Sequence, residues 1–297
     1  PGPAWTGDIT TSLVPMKKTF DTTMGLGFNG FIDNGNKFVI TNGSIVYVHS
    51  VSTPYDVTTV TSTIYADHSW SHYYPGIESA KFNADGSKLY IRYNNYRDHD
   101  RAIREITTNS AFDPSGTTVG TYGGSSLSNH GPSVYDMCTS YDSTKMYILY
   151  QDNIIYEYVM LTPGSIASMY WTGVSFNAAV VDSSPRTIQI SDDGTKMFVL
   201  GTTDDRVYQI DMATAFDLET TTYNGIKTDV ISGAVKAFIT NDCSRLNVQI
   251  SGTQRVVAYS INGDLATVVS PTPGPAWTGD ITTSLVPMKK TFDTTMG

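Results

Sequence analysis

The sequence predicts an all-β protein, a five-bladed β-propeller built of four-stranded antiparallel blades. Three observations lead to this prediction. A cation followed by apolar, strand-forming residues recurs five times, a polar turn precedes each copy, and a further apolar strand follows it. The steps between the five cations are 51, 57, 51 and 49 residues, and the cations are Lys37, Lys88, Lys145, Lys196 and Arg245. A strand-and-turn repeat with a period of about 50 residues is typical of β-propellers.

The fourth repeat shows the pattern of one blade most clearly. Residues 187–190 form a short strand-like run, and the Asp-Asp-Gly turn at residues 192–194 ends it. A tight turn needs a residue with positive φ, which Gly adopts without strain. Residues 197–200 and 207–210 are two further runs rich in β-forming side chains. Residues 218–223 are predicted to be the fourth strand of this blade.

The repeats divide the chain into a ring of blades and two flanking segments. We expect residues 1–25 to form a lead strand that closes the propeller and residues 26–270 to form the ring. Residues 271–297 hold a Pro-rich linker and an exact copy, because residues 273–297 repeat residues 1–25 without one change. One position in a ring cannot hold two copies, so the second copy is expected to begin another unit. The five predicted blades span residues 26–66, 75–122, 132–172, 185–224 and 234–270.

The lead segment has the character of the fourth strands that we predict for the blades. Its Asp-Ile-Thr-Thr sequence is similar to residues 56–59 and 217–220. We therefore predict that residues 8–14 pair beside blade five, and that the identical residues 280–286 do the same in a neighbouring unit. Such strand donation would cover a sheet edge that otherwise aggregates. The residues assigned to this assembly are Asp8, Ile9, Thr10, Thr11, Asp280, Ile281, Thr282 and Thr283.

The blade motif also resembles a known group of repeats. The pattern D-G-T-K-M-[FY]-V, followed by V-Y-Q-[IY]-D-[LM]-x-T-x-[FW]-D, is similar to the propeller repeats of bacterial surface proteins and phage structural proteins. The resemblance covers residues 25–270 and concerns the repeat type, so it implies a propeller and carries over no catalytic residue. The third repeat lacks the turn Gly, and the fifth has Cys243 in place of that Gly and Asn247 in place of an aromatic residue.

The composition disfavours several classes of partner. The net charge is −9, whereas nucleic acids and anionic membranes both attract cationic surfaces. No apolar run is long enough for a transmembrane helix, and no signal-peptide pattern opens the sequence. The two cysteines, Cys138 and Cys243, lie in non-adjacent repeats, so we expect them to be unpaired. Their spacing fits no zinc motif.

Four charged residues are predicted to meet at one mouth of the axial channel. They lie on the first strand of blades two to five, nine or ten residues before the cation, and are Glu78, Asp136, Arg186 and Lys236. Two interpretations remain open for them. A carboxylate pair in this place would serve a glycoside hydrolase as acid and base or nucleophile. A plug of mutually paired charges that fixes the innermost strands is the favoured interpretation.

An aromatic, His-containing loop is the second candidate site. Two histidines suggest a metal, but an i,i+4 pair binds metal on a helix, and this stretch reads as a loop. Contact with a glycan or a protein partner is the better interpretation, and the residues are His68, Trp70, His72, Tyr73 and Tyr74. The Asp-rich turns lack calcium-loop spacing, and no catalytic motif is present. We therefore predict no metal, no cofactor and no enzymatic activity.

The function predicted from these features is structural. We expect a repeat unit of an extracellular or surface filament or fibre, with propellers joined head to tail through the N-terminal segment. The main partner is then another copy of the unit, and glycans are a second class of partner. Asn42 begins an Asn-Gly-Ser sequon in a predicted turn, which fits glycosylation or a plain hairpin. The alternatives are a tandem carbohydrate-binding or adhesion module and a glycoside-active enzyme.

Overall fold

The prediction of an all-β, five-bladed propeller is confirmed. The structure is a computed structural model that describes residues 14–21, 27–69, 76–94, 103–122, 134–240, 245–252 and 255–260. The strands in this part of the chain form five four-stranded antiparallel sheets. Four of these sheets use four consecutive strands each, whereas the fifth combines three consecutive strands with one from the N-terminal segment.

The blades follow one another along the chain, each running from its innermost strand outward. Blade one holds β2 (Gly27–Ile32), β3 (Lys37–Asn42), β4 (Ile45–Val51) and β5 (Val60–Asp67). Blade two holds β6 (Gly76–Phe82), β7 (Lys88–Asn94), β8 (Ile103–Thr108) and β9 (Gly116–Tyr122). Blade three holds β10 (Val134–Thr139), β11 (Lys145–Tyr150), β12 (Ile154–Met160) and β13 (Met169–Asn177). Blade four holds β14 (Pro185–Ile190), β15 (Lys196–Gly201), β16 (Arg206–Met212) and β17 (Thr221–Thr222). Blade five holds β18 (Ala234–Ile239), β19 (Arg245–Ile250) and β20 (Arg255–Ser260).

The fourth strand of blade five is β1 (Val14–Asp21), which precedes blade one in the chain. It pairs antiparallel with β20, with Pro15 opposite Tyr259 and Phe20 opposite Val256. A strand from the start of the chain therefore closes a blade made from its end. The predicted closing segment was residues 8–14, and of these only Val14 lies within the described residues. Residues 280–283 and the rest of the second copy also lie outside the described residues.

The Asp-led segments at residues 56–59 and 217–220 are turns that precede the fourth strands, so the prediction of a strand over residues 218–223 holds only for Thr221–Thr222. Leu218–Thr220 is a 3₁₀ turn, and β17 is only two residues long. The Asp217 side chain accepts a hydrogen bond from the Glu219 backbone N–H at 3.0 Å. Asp56 makes the same contact with the Thr58 N–H at 3.1 Å, and β5 begins only at Val60. An Asp side chain that bonds the backbone two residues on stabilises a turn and competes with a strand.

The hydrophobic core lies between adjacent blades. Side chains alternate along each second strand, so that successive residues face different neighbours. Tyr90 packs with residues of blade three, whereas Leu89 and Ile91 pack with residues of blade one. The second-strand residues predicted to form the core are all buried, and they are Ile40, Leu89, Tyr90, Met146, Tyr147, Met197, Phe198 and Val248.

Polar side chains join one blade to the loop of the next. At the junction of blades three and four, the Tyr147 hydroxyl donates a hydrogen bond to the Phe216 carbonyl at 2.7 Å. The buried Glu157 carboxylate pairs with Lys145 Nζ at 2.8 Å and accepts the Leu218 backbone N–H at 3.2 Å. Because one carboxylate serves both blades, we call this arrangement the carboxylate junction.

Candidate functional site

The four charged residues predicted for the channel mouth line one cavity. Its volume is about 410 Å³, and all five blades contribute to its wall. Blades two and three contribute carboxylates and blades four and five contribute cations, and the four residues are Glu78, Asp136, Arg186 and Lys236. The structure therefore brings these side chains together from four separate strands. We call this space the axial cavity.

A β-bulge in every innermost strand directs side chains into the axial cavity. The pairing register shifts by one residue between Phe28 and Gly30, and between Ile77 and Ser79. The same shift occurs in the other three innermost strands, around residues 134–136, 185–187 and 234–236. A bulge inserts an extra residue that bends the strand and re-aims a side chain. Glu78 and Arg186 lie inside these shifts, so the bulges account for their position at the mouth.

The charges in the axial cavity do not pair as the sequence predicted. Glu78 forms its ion pair with Arg92, a buried residue of β7 that the sequence analysis missed. Lys236 Nζ donates to two neutral oxygens, the Glu78 backbone carbonyl at 2.5 Å and Asn29 Oδ1 at 3.1 Å. One signal for Arg92 was present, since a lone cation lies in the middle of the apolar second strand at residues 88–94. The chain thus uses a second strand to neutralise a first-strand carboxylate.

Asp136 ties three blades together beneath the mouth. Its buried carboxylate accepts the Ser79 hydroxyl at 2.9 Å and the Ile188 backbone N–H at 3.1 Å. Asn29 has a similar role, because its side-chain oxygen accepts the Ala80 backbone N–H at 3.1 Å. Both side chains satisfy backbone or hydroxyl donors that a bulged strand leaves without a ladder partner.

The two cations of blades four and five remain without a carboxylate partner among the described residues. Arg186 places its guanidinium carbon 4.1 Å from the centre of the Tyr135 ring, a cation–π contact. The pKa of Lys236 is lowered to about 8, chiefly by burial and also by the neighbouring cations Lys81 and Arg92. The charges of Asp136 and Glu78 act in the opposite direction.

A smaller cavity of about 230 Å³ lies farther along the innermost strands. Gln189 spans two blades there, accepting the Ile239 backbone N–H at 2.8 Å and donating to the Ile239 carbonyl at 2.7 Å. Cys138 also lines this cavity, and it is unpaired as predicted. Burial raises the pKa of its thiol to about 12, so the reactive thiolate is scarce near neutral pH. Cys243 lies outside the described residues.

The aromatic, His-containing loop is described only in part. His68 is fixed by a contact of 2.9 Å between Nε2 and the Pro114 carbonyl, and burial lowers its pKa. Its predicted companions lie outside the described residues, and they are Trp70, His72, Tyr73 and Tyr74. Within the residues that the structure describes, no group of three or more His, Cys, Asp or Glu side chains is placed to hold a metal ion.

The sequon residue Asn42 lies at the edge of the axial cavity. It is the exposed last residue of β3, and the turn follows it, whereas the sequence placed it in the turn itself. The third residue of the sequon, Ser44, donates its hydroxyl to Asp67 at 2.6 Å. Among the residues that the structure describes, no helix is long and apolar enough to cross a membrane.

Comparison with known proteins identifies no relative by sequence. No protein-family model matches the chain, and no curated protein matches it either. Among solved structures, it is similar to a chain in the crystal structure of a mitotic checkpoint complex, with 13% identity, a TM-score of 0.49 and coverage of 88% of this chain and 96% of that one.

Two other solved structures show likeness at the same level. Hydrazine synthase of Kuenenia stuttgartiensis is 11% identical with a TM-score of 0.47, covering 79% of this chain and 71% of that one. The β-propeller domain of Cps50 (Swd1) from Myceliophteria thermophila is 12% identical with a TM-score of 0.47, covering 83% and 86%. Likeness at this distance carries no argument about function.

Proposed function

We propose that this chain is a structural unit of a head-to-tail array, in which a strand of one propeller closes the ring of the next. The observation that carries the proposal is the repetition of the closing strand. The eight residues of β1, VPMKKTFD, recur without change at residues 286–293. β1 covers the outer edge of β20, and that edge has room for one strand only.

The pairing between β1 and β20 suits exchange between units. Its register places Val14 opposite Ser260 and Asp21 opposite Arg255, and the identical copy at residues 286–293 offers the same partners. Main-chain hydrogen bonds supply the attachment in such strand addition, so the donor need not come from the same unit. Each chain has two equivalent donors and one acceptor edge, so the copy at residues 286–293 would close a neighbour's ring by replacing that neighbour's β1.

The extracellular or surface setting is the second part of the proposal. A tandem array of acidic propellers fits a surface fibre. The blade motif also resembles the propeller repeats of bacterial surface proteins and phage structural proteins. Asn42 is exposed, so a glycan at its sequon is sterically feasible. An intact mass above the sequence mass for material from the native source would support this setting.

Disulfide trapping tests the strand exchange directly. Phe20 lies opposite Val256, and Phe292 is the copy of Phe20. In a background with Cys138→Ala and Cys243→Ala, the full chain with Val256→Cys and Phe292→Cys should form a covalent ladder between chains on mild oxidation. The matched variant with Val256→Cys and Phe20→Cys should give mainly a bond within one chain. If the first variant gives no ladder, or only a bond within the chain, the head-to-tail proposal is wrong.

Deletion of residues 273–297 gives a second test. The shortened chain keeps β1 and should remain a folded monomer, because its own strand still closes blade five. Light scattering and electron microscopy should show oligomers for the full chain and single rings for the shortened chain. Oligomers of equal length from both chains would mean that lateral contacts hold the assembly.

A carbohydrate-binding or adhesion module is the second candidate. Exposed aromatic side chains on the outer strands favour it, since such rings stack on sugars. They are Tyr65, Tyr170 and Trp171, with exposed fractions of 66%, 47% and 44%. If this candidate is right, the full chain should bind to a glycan array, and Trp171→Ala should reduce that binding.

The third candidate, a glycoside-active enzyme, finds less support in the axial cavity. Its two carboxylates are occupied, Glu78 by Arg92 and Asp136 by a hydroxyl and a backbone N–H. A catalytic pair instead needs one carboxyl group placed as acid and the other free to act on the sugar or on water. This arrangement supports a structural role for the two carboxylates, although the four predicted charges do not form the mutually paired plug.

A further inference from the structure

We propose that the axial cavity binds a small organic anion, whose carboxylate or phosphate group is held by Arg186 and Lys236. This inference does not rest on the head-to-tail array, because it concerns the mouth of a single ring. It assigns a ligand class to a space for which the proposed function provides no use.

The charges of the axial cavity are the first argument. Three cations and two carboxylates line it, so it carries a formal excess of positive charge in a chain whose net charge is −9. The charge of Arg92 is neutralised by its ion pair with Glu78. Asp136 is satisfied by hydrogen bonds from blades two and four. With Glu78 and Arg92 paired, two cations, Arg186 and Lys236, face the single charge of Asp136, so one positive charge remains without a counter-charge.

The geometry of Arg186 is the second argument. Its guanidinium lies over the ring of Tyr135, and within the described residues it makes no hydrogen bond and no ion pair. Because no described acceptor takes its N–H groups, these donors are available to a ligand. They match the two oxygens of a carboxylate or a phosphate, which Arg binds in bidentate fashion. The bulge at Arg186 holds this group at the cavity wall.

Lys236 provides the third argument. Its ammonium has three N–H donors, and the described residues offer it two acceptors, both neutral. The carboxylates that face it, Glu78 and Asp136, are already engaged with other donors. A partly desolvated cation gains from a negative partner, and an anion in the cavity would supply the missing charge and the third acceptor.

The size of the cavity limits the ligand. A volume of about 410 Å³ lies in the lower part of the range for small-molecule sites, roughly 300–1,000 Å³. A sugar acid, a sugar phosphate or a similar small organic anion fits this volume. The positive excess also opposes a metal cation at the same place.

Calorimetry on the full chain tests the proposal with four probes. They are glucuronate, glucose 6-phosphate, inorganic phosphate and neutral glucose. We expect at least one of the two charged sugars to bind, and glucose to give no signal under the same conditions. Stronger binding of glucuronate identifies a carboxylate site. Stronger binding of glucose 6-phosphate, with inorganic phosphate as its competitor, identifies a phosphate site. The proposal is overturned if no anion binds, or if glucose binds as well as the charged sugars.

Substitutions locate the binding. Arg186→Gln and Lys236→Gln should each lower the affinity for the anion by roughly tenfold or more, as expected for a lost charge-assisted contact. Lys227→Gln is the matched control, since that lysine also lies over a tyrosine ring, at 5.9 Å from the centre of Tyr208, but outside the cavity. Unchanged affinity in both cavity variants, or an equal loss in the control, would place the binding elsewhere.

The wild-type chain supplies a test that needs no substitution. Anion affinity should fall as the pH rises through about 8, because Lys236 then loses its charge. The charged groups that face Lys236 are Glu78, Asp136, Lys81 and Arg92. Affinity that stays constant across this interval would exclude Lys236 from the site.

Discussion

The junction of blades three and four and the closing blade hold the ring together by different means. The carboxylate junction uses buried side chains, with Glu157 bonded both to Lys145 in its own blade and to the Leu218 backbone in the next. Blade five has Asn247 and Ala258 at the positions of Tyr147 and Glu157, so it lacks both polar groups of that junction. Backbone pairing of β20 with β1 completes it instead.

This difference bears on how the ring can open. Side-chain junctions depend on particular residues and resist separation, because breaking them leaves buried polar groups unpaired. Backbone pairing accepts any strand of suitable register. The closing blade also tolerates unfavourable groups, since it contains the desolvated Lys236 and the buried Asn247 amide. Its side-chain contacts with blade one are of a different kind, since Arg245 donates to the Tyr55 carbonyl at 2.8 Å and Gln249 accepts the Phe28 backbone N–H at 3.0 Å.

The largest expected effect comes from breaking the carboxylate junction. Glu157→Ala should lower the free energy of unfolding by about 3–5 kcal/mol, because it leaves the Leu218 N–H without its acceptor and the partly buried Lys145 without a counter-charge, with only the Phe216 carbonyl to accept from it. Urea denaturation measures the change. Asp211→Ala is the matched control, since the Asp211 carboxylate that pairs with Lys196 is more exposed than that of Glu157 and bonds no described residue of another blade, so its loss should cost less. Equal losses would show that the junction has no special strength.

The second prediction concerns pH and the closing blade. The pKa of Lys236 is about 8 in the folded chain and about 10.5 when unfolded, so the folded state binds fewer protons between these values. Stability should therefore rise with pH in this window, and the cost of burying the charge is fully present below pH 8.

The variant Lys236→Met isolates this contribution. Between about pH 7.5 and about pH 9.5, the free energy of unfolding of the wild-type chain should rise by about 2 kcal/mol relative to the variant. Denaturant titrations at the two pH values measure the difference, and tyrosine ionisation affects both proteins equally. A difference that falls with pH would mean that the ammonium is stabilised in the folded state.

The third prediction concerns Asn247. Its side chain is fully buried, and its amide nitrogen and oxygen find no hydrogen-bond partner in the part of the chain that the structure describes. Asn247→Leu has a similar volume and removes the unpaired groups, so it should raise the free energy of unfolding by about 1 kcal/mol. Asn247→Asp should lower it, because it buries a charge. A loss of stability in the Leu variant would indicate that the amide has a partner.

The ring architecture was predictable because it depends on local patterns. Turn residues, strand-forming residues and the recurring cation all repeat within short windows, and each blade obeys them independently. The approach of Glu78 and Arg186 to the axis also followed from the repeat offset. The β-bulges that place them there could not be predicted, because a bulge is a shift in pairing between two strands and is not visible in the sequence of one strand.

The errors have equally physical reasons. The Thr-rich segment after Asp217 has good strand propensity, yet the Asp side chain favours a turn, and that local hydrogen bond prevails. The predicted pairing of Glu78 failed because Arg92 comes from another strand, where an isolated cation looks like a surface residue. Which charged side chains pair depends on the tertiary structure, so the ion pairs could not be assigned from sequence offsets alone.

The smallest expected effect concerns blade three, whose turn lacks the usual glycine. In blade four, Gly194 has φ +75° at the turn, and the Phe216 ring covers it so closely that a side chain there would collide. In blade three the small and the large residue change places. Ser143, at φ +57°, occupies the turn position of Gly194, and Gly164 occupies the position of Phe216. Blade three thus compensates for its departure within the same pair of positions.

Ser143→Gly should therefore change stability only slightly. Glycine relieves the positive φ but gains freedom in the unfolded chain, so we expect a net change within about 0.5–1 kcal/mol. The reciprocal variant Gly194→Ser should be clearly destabilising, because its Cβ would lie 2.5 Å from the Phe216 ring. Thermal unfolding of the two variants beside the wild-type chain measures both. If Gly194→Ser were as mild as Ser143→Gly, the aromatic cover would not be what fixes glycine in the turn, and the exchange in blade three would not be a compensation.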